Sequence, residues 1–394
     1  MTTRLWNRKT RAALLILPLA LFIGIFFVWP LGIMVKQSVL DDAVLHLLPR
    51  TTEAIVGWDR TAPPTEAMQA ALIADLRAAD DEKAVGDMVR RLNSAQSGYR
   101  TLMTKTLSAV AKPETGPLLT DVDKRWSQPA FWVAIADALE PMTDRYLLAA
   151  VDLERNKAGE IAGLPDGASA NRTIFIRTFW IAAVVTFFCV LIGYPYALLT
   201  AASTGITRTI LLTAVLLPLW TSLLVRTAAW FILLQEQGLI NGFLLSMGAI
   251  SSPLPLIFNR TGVVIAMTHV LLPLMVLPIY SVLLTIPTNL MPAATSLGAH
   301  PLRAFLHVLL PLSLRGVISG ALLVFMTAVG YYITPALVGG AGDQMISSVI
   351  AFYSTQTANW SMASALGIVL LVITLILYVV YVQLSGRTSV NGRM

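Results

Sequence analysis

With 394 residues, 56% of them hydrophobic and only 13% charged, the chain departs far from an ordinary soluble domain, in which about 25% of residues carry charge. That balance excludes a wholly soluble protein, and apolar stretches of membrane-spanning length outweigh any domain count based on size. The formal net charge of +6 is unevenly placed: residues 36–171 hold 15 of the 28 Lys and Arg but 20 of the 22 Asp and Glu, so one acidic block interrupts a basic, apolar chain. The basic excess elsewhere reads as a membrane-orientation signal and not as a nucleic-acid footprint. The lone Cys189, inside an apolar run, excludes an intramolecular disulfide framework and a thiolate-rich metal site.

A hydrocarbon core of about 30 Å takes about 20 helical residues to cross, and only a helix satisfies its own backbone there. Six stretches qualify, from Ala12 to Val35, Thr173 to Ala201, Arg208 to Leu234, Thr261 to Leu284, Gly316 to Leu337 and Ser361 to Val382. Arg4, Arg8, Lys9 and Arg11 precede the first span and place the N-terminus in the cytoplasm. That span outruns the 7 to 15 apolar residues of a secretory signal and has no clear cleavage site before Lys36, so it reads as retained.

The acidic block from 36 to 171 is then extracytoplasmic. Met68, Leu72, Ile73 and Leu76, and again Val85, Met88, Val89 and Leu92, follow helical spacing. A further helical stretch runs from about Gln128 to Leu153, with Phe131, Ile135, Leu139, Leu147 and Val151 inward. Pro63 and Pro64 break the chain before the first helix, and Pro113 separates the two helical regions. The block reads first as a solvated helical cap, with a surface for a soluble partner as the other possibility.

Beyond the block, parity puts Arg208, Arg303, Arg315, Arg387 and Arg393 on the cytoplasmic side. Arg172, Arg177, Arg226 and Arg260 fall near external ends; Arg226, about 27 Å along its span from Arg208, can snorkel to the outer interface. No span interior contains Asp or Glu, which disfavours proton or sodium coupling. His269, alone within a span, reads as a hydrogen-bonded packing residue more than as a proton carrier. His46, His269, His300 and His307 form no metal-ligand pattern, and neither H-E-x-x-H nor G-x-S-x-G occurs. Gly339, Gly340 and Gly342 make a turn without the Gly-Lys-Ser/Thr of a phosphate loop, so any ATP must be held by another chain.

Between spans four and five, Thr288 or Asn289 can cap a short helix, Pro292 suits its first turn, and Gly298 can take the left-handed conformation that ends it. A second helix is expected to start near Pro301, giving two short helices at a glycine bend. Such a knob on the cytoplasmic face, at about 286–315, suits force transfer from a soluble partner.

This segment resembles the coupling loop of binding-protein-dependent ABC importer permeases, E-A-A-x-x-x-G followed by an apolar-x-Leu-Pro element. Ala293, Ala294, Gly298, Val308, Leu310 and Pro311 match, whereas Pro292 stands where the family usually has glutamate and Arg315 where a proline often precedes the glycine. Over about 173–384 the chain is similar to spermidine/putrescine-type permeases through Gly193-Tyr194-Pro195, Leu217-Pro218-Leu219-Trp220-Thr221-Ser222, Arg226, Trp230, Gly238-Leu239-Ile240-Asn241 and Val338-Gly339-Gly340. Iron, opine and amino-acid-derivative importers share much of this pattern, and the large insert departs from the compact polyamine permeases.

The resemblance implies an all-α membrane protein of the type I ABC importer permease fold, with residues 172–384 as a five-helix core and 385–394 as a cytoplasmic tail. It implies a non-catalytic, multi-pass subunit of a bacterial inner membrane that carries a polyamine or a related cationic or amino-acid-derived solute. The expected partners are a second permease, two ATPase subunits that hold ATP and Mg, and a solute-binding protein. Coupling is expected at Pro292, Ala293, Ala294, Gly298, Ala299, Phe305, Leu310 and Pro311. Trp220, Glu236, Tyr331, Tyr332 and Asp343 are candidates for the substrate path, beside the blander possibilities of interface anchors, packing residues and solvated loop charges. Pro195, Pro218, Pro273 and Pro278 read as helix kinks before gates. The competing classes are an ion-coupled secondary transporter and a membrane sensor with an external ligand-binding domain.

Overall fold

The computed structural model describes residues 8–40, 44–112, 118–140, 142–155, 160–165, 167, 170–357 and 359–390. Contacts divide the chain into two units, Met1–Ser169 with Phe352–Val369, and Ala170–Ala351 with Leu370–Met394. Arg4, Pro113 and Arg393, used in the sequence reading, lie outside the described residues.

The first unit opens with α1 (Arg8–Ile23) and α2 (Trp29–Val39), joined without interruption by a π-turn at Gly24–Val28. Trp29 bonds back five residues to the Gly24 carbonyl, and Pro30 follows at once. Proline lacks an N–H and its ring collides with the carbonyl four residues earlier, so a widened turn lets the helix continue.

After α2 come α3 (Pro49–Ile55), α4 (Glu66–Ala78), α5 (Glu82–Ala95), α6 (Tyr99–Val110), α7 (Pro129–Leu139) and α8 (Arg145–Ala150). The chain breaks at Pro63-Pro64 as expected, and Thr65 caps α4 by accepting the Met68 N–H at 3.3 Å. Met68, Leu72, Ile73 and Leu76 are buried together with Met88, Leu92, Leu102, Trp126, Trp132 and Ile135. Three polar handles in this core find partners: the Tyr99 hydroxyl donates to the Phe131 carbonyl at 2.5 Å, Trp132 Nε1 to the Trp126 carbonyl at 2.8 Å, and Trp126 Nε1 to Thr106 Oγ1 at 2.9 Å, whereas the Trp58 indole N–H at the core's margin has none among the described residues.

The expected single helix from Gln128 to Leu153 is two helices. Glu140 leaves α7 with φ −75° and ψ 114° because residue 141 is proline, which disfavours helical geometry in the residue before it. Phe131, Ile135 and Leu139 point inward as expected, whereas Leu147 and Val151 are only half-buried and Tyr146 and Ala150 fill the inner face of α8. A short antiparallel pair, β1 (Leu153–Arg155) and β2 (Ile161–Gly163), departs from the all-helical expectation at the margin.

The second unit contains α9 (Asn171–Ala202), α10 (Gly205–Trp220), α11 (Leu223–Leu233), α12 (Leu239–Ser246), α13 (Arg260–Leu283), α14 (Leu290–Ser296), α15 (Pro301–Ala304), α16 (Leu310–Gly330) and α17 (Ile333–Val338). α18 (Ile346–Thr355) and α19 (Trp360–Val390) contribute residues to both units. Among the described residues, five continuous helices are long and apolar enough to cross a membrane: Leu14–Val39, Asn171–Ala202, Arg260–Leu283, Pro301–Gly330 and Trp360–Gln383. α9, α13 and α16 form the core, drawn together by glycines. A Cβ at Gly320 would lie 2.8 Å from Met275 Sδ, one at Gly316 2.8 Å from the Ile279 Cα, and one at Gly193 3.0 Å from Met275 Cγ.

Two expected spans are corrected. The third, Arg208 to Leu234, is broken: α10 and α11 meet at 101° because Thr221 and Ser222 are both extended, with ψ of 149° and 142°. Pro218 starts this break, and the Thr221 hydroxyl bonds its carbonyl at 3.0 Å. Arg226 therefore lies beyond a corner and not on a straight 27 Å path. The fifth span is Pro301–Gly330 instead of Gly316 to Leu337; it ends at Tyr331, extended with ψ 131°, and Leu337 belongs to the separate α17.

Candidate functional site

The segment between α13 and α16 is built around Gly298, which sits at φ +87°. The Ala299 N–H bonds the Ala294 carbonyl at 3.1 Å and the Gly298 N–H bonds the Thr295 carbonyl at 3.0 Å, the paired closure of a Schellman cap. Ala294, Gly298 and Ala299 thus have one shared local role, ending α14 and turning the chain by left-handed backbone. Pro292 lies in the first turn of α14 as expected, and Asn289 occupies the N-cap position without a side-chain cap bond.

Pro301 starts a helix, but not a second short one. α15 runs through a π-turn at Phe305–Leu309 into α16, so the elbow is one short helix and the end of a span. Leu310 bonds back five residues to Phe305 and Pro311 follows, repeating the device at Pro30. Pro311 and Leu310 therefore act by letting the span begin inside the elbow.

The elbow has two faces. Leu297, Leu302 and Leu306 are 90%, 61% and 46% exposed, a cluster of uncovered leucines beside exposed Pro292, Ala293 and Gly298. On the other face Ala304 is buried, and half-buried Phe305 meets the Tyr194 ring edge-on at 6.2 Å. The Tyr194 hydroxyl pairs with Ser313 Oγ at 2.8 Å. Sequence reasoning missed Ser313; its signal is a single hydroxyl in the apolar run after Pro311.

The other candidates fall in separate settings. Trp220 ends α10 at the corner and is 72% exposed, and Glu236 is exposed in the turn between α11 and α12. Tyr331 and Tyr332 occupy the break between α16 and α17, half-buried and exposed respectively. Asp343 accepts from Arg260 Nε at 3.2 Å, and Arg177 donates to the adjoining Gly342 carbonyl, so this carboxylate is committed to the chain's own cations. Gly339 and Gly340 are packing devices: a Cβ on them would lie 2.6 Å from the Pro335 carbonyl and 2.5 Å from the Phe258 carbonyl.

Two further polar positions explain parts of the sequence pattern. Buried Asn241 donates to the Gln235 and Leu254 carbonyls at 3.1 and 3.0 Å and accepts the Leu254 N–H at 2.8 Å, pinning the loop after α12. His269 on α13 accepts the Trp230 indole N–H on Nδ1 at 3.1 Å, with the rings edge-on at 5.3 Å. Its hydrogen-bonded character was expected; its partner was not.

Comparison with known proteins shows the family. Residues 173–390, more than half of the chain, match the family of binding-protein-dependent transport system inner membrane components. The chain belongs to this family. The permease is 32% identical over 212 residues to the spermidine/putrescine transport system permease protein PotB of Escherichia coli, covering 54% of this chain and 77% of that protein. It is 36% identical over 200 residues to the PotB protein of Haemophilus influenzae, covering 51% and 70%. Among solved structures, a bacterial alginate ABC transporter, crystallised with its alginate-bound periplasmic protein, aligns with a TM-score of 0.44 at 18% identity, over 56% of this permease and 83% of that chain. Family membership makes the permease a multi-pass inner-membrane component of a transport system, and the segment carrying the insert lies ahead of the matched region.

Proposed function

We propose that the permease forms half of the gated pathway of an ATP-driven importer for a small solute, a polyamine or a related cationic or amino-acid-derived compound. A solute-binding protein delivers the solute, a second permease completes the pathway, and two ATPase subunits holding ATP and Mg supply the work. Both termini and the elbow at 286–315 are cytoplasmic in this reading, and the block from 36 to 171 is extracytoplasmic. Both relatives reported above are named for spermidine and putrescine transport, which supports the cargo class.

The observation that carries the mechanism is the elbow itself, with uncovered leucines on one face and the Phe305–Tyr194–Ser313 contact on the other. Leu297, Leu302 and Leu306 seat in the ATPase, and the Schellman turn at Gly298 fixes their angle. When ATP closes the ATPase pair, the displaced elbow acts directly on α16, because α15 and α16 are one continuous helix. Tyr194 passes the same motion to α9. Where the family usually has glutamate, Pro292 stands in the first turn of α14, and the backbone of that turn carries the contact in place of a carboxylate.

Reconstitution tests this. The permease alone in proteoliposomes, under proton or sodium gradients, should accumulate nothing. Adding the second permease, ATPase, binding protein and ATP should produce uphill uptake of solute. Uptake by the permease alone overturns the reading, as does labelling of a cysteine at Leu297 from the external face.

A further inference from the structure

His269 is exposed nine residues into α13, about 14 Å along the helix, while Met267, Thr268, Val270 and Leu271 around it are buried. An ionisable side chain at such depth faces a polar path or a protein partner in preference to lipid. Its Nδ1 accepts from Trp230, so the proton of the neutral ring resides on Nε2, a free donor direction. One helical turn before Trp230 on α11 stands Arg226, whose neighbour Thr227 pairs at 3.1 Å with Thr334, three residues after Tyr331. The buried Arg226 Nε has no hydrogen-bond partner among the described residues. The acids that could neutralise it are few: beyond residue 171 the sequence offers only Glu236 and Asp343, and Asp343 is held by Arg260.

These three side chains are therefore rich in donors and poor in acceptors. Arg226 and His269 Nε2 donate only, and the Tyr331 hydroxyl alone can do either. A protonated polyamine brings nothing but donors and would meet like charge here. A carboxylate brings only acceptors, in the planar geometry a guanidinium matches.

We infer that Arg226, His269 and Tyr331 form a carboxylate-recognition point on the solute path, so that the cargo is an amine-bearing acid instead of a carboxylate-free polyamine. The inference rests on the importer reading and narrows its cargo.

The complete transporter in proteoliposomes, with ATP on the cytoplasmic side, should be offered an equimolar mixture of ornithine, ornithinamide, putrescine, arginine, agmatine and spermidine. Accumulated solutes are read by mass spectrometry. Acids should exceed the amide and amines by about ten-fold or more, as expected for a charge-assisted hydrogen bond to an otherwise unpaired group. Arg226→Gln should reduce that preference to less than about two-fold, and Arg226→Lys should restore part of it. If Arg226→Gln fails to assemble, Tyr331→Phe provides the same comparison, with a smaller loss of preference. Accumulation of putrescine or spermidine at or above the acids overturns the inference and leaves the importer reading standing, as does unchanged preference in both variants. Absence of ATP-dependent accumulation of every solute overturns the importer reading itself.

Discussion

The Tyr194 hydroxyl on α9 and Ser313 Oγ on α16 lie 2.8 Å apart, at the level where the elbow meets the spans. Ser313 is fully buried and also bonds the Leu310 carbonyl at 3.0 Å, so the pair ties α9 to the first turn after Pro311. Two distant segments of sequence share one polar contact in an apolar setting, which fixes their relative rotation.

Tyr194→Phe keeps the ring against Phe305 and removes only this bond. The expected cost is about 1 kcal/mol of stability, because one buried hydroxyl loses a partner. Transport should fall more than assembly: ATP hydrolysis by the complete transporter persists while solute moved per ATP declines. Parallel measurement of phosphate release and uptake in proteoliposomes checks this.

At Gly298 no heavy atom of the described residues, beyond Gly298 itself and its two chain neighbours, lies within 4 Å of where a Cβ would be, so a substitution costs backbone strain and not a clash. With φ at +87°, valine should cost on the order of 1–3 kcal/mol locally, and asparagine, which tolerates left-handed backbone, clearly less. Gly298→Val should leave the folded permease intact in detergent yet weaken its co-purification with the ATPase, and Gly298→Asn should retain most of it.

Gly320 is the opposite case. Its φ is ordinary, but a Cβ would lie 2.8 Å from Met275 Sδ and 3.0 Å from the Met275 carbonyl. Gly320→Ala should therefore lower the melting temperature of the permease, by an overpacking cost of about 1–3 kcal/mol. Met275→Ala in the same chain should recover only part, since the carbonyl contact remains.

Much of this fold is legible in the sequence because the bilayer imposes a simple length and hydropathy rule. The Gly298 turn was legible for another reason: a glycine closing a short run after Pro292 takes the left-handed backbone of a helix end without steric cost, where other residues are strained. What escaped was tertiary. The corner at Thr221-Ser222 contains no glycine, and its apolar flanks read as one span until Pro218 and two extended residues are seen together. The end of α16 at Tyr331 lies within a run that hydropathy alone would continue. The Trp230–His269 and Tyr194–Ser313 pairs join residues 39 and 119 positions apart, a relation that no local spacing encodes.

In the insert, the Asp75 carboxylate is buried and accepts the Thr51 N–H and hydroxyl, both at 2.7 Å, and the Arg50 N–H at 3.2 Å. A side chain from α4 thus caps the first turn of α3, whose own N-cap residue, Leu48, has no side-chain acceptor. Asp75→Ala should destabilise the insert by about 2–4 kcal/mol, because several donors lose their acceptor together. Urea unfolding of the full chain, followed by fluorescence of buried Trp126 and Trp132, reads the effect, with the spans as an internal reference.

Asp123 and Tyr99, both outside the spans, contribute to the pH limits of the insert, and Asp144, held below the usual range by its hydrogen bonds from Arg155, adds to the acid one. Arg125 beside Asp123, through its side chain first and its backbone N–H second, holds that carboxyl well below the usual carboxylate range, with Lys105 adding to the effect. A depressed folded value means stability that is fully present above the unfolded carboxylate range near 4 and is lost as pH falls below it. Tyr99 has the reverse sign: burial pushes its hydroxyl well above 10, so the neutral form belongs to the fold, and stability holds below about 10 and is lost as pH rises beyond it. The insert should therefore show a flat stability plateau between about pH 5 and 9, bounded by an acid and an alkaline decline. Asp123→Asn should lower the plateau and flatten the acid limb alone. Tyr99→Phe should flatten the alkaline limb alone, after a uniform loss from the missing bond to Phe131. Unfolding midpoints of the full chain measured across pH distinguish these shapes, and an acid limb that stays equally steep in Asp123→Asn would assign it to other carboxylates.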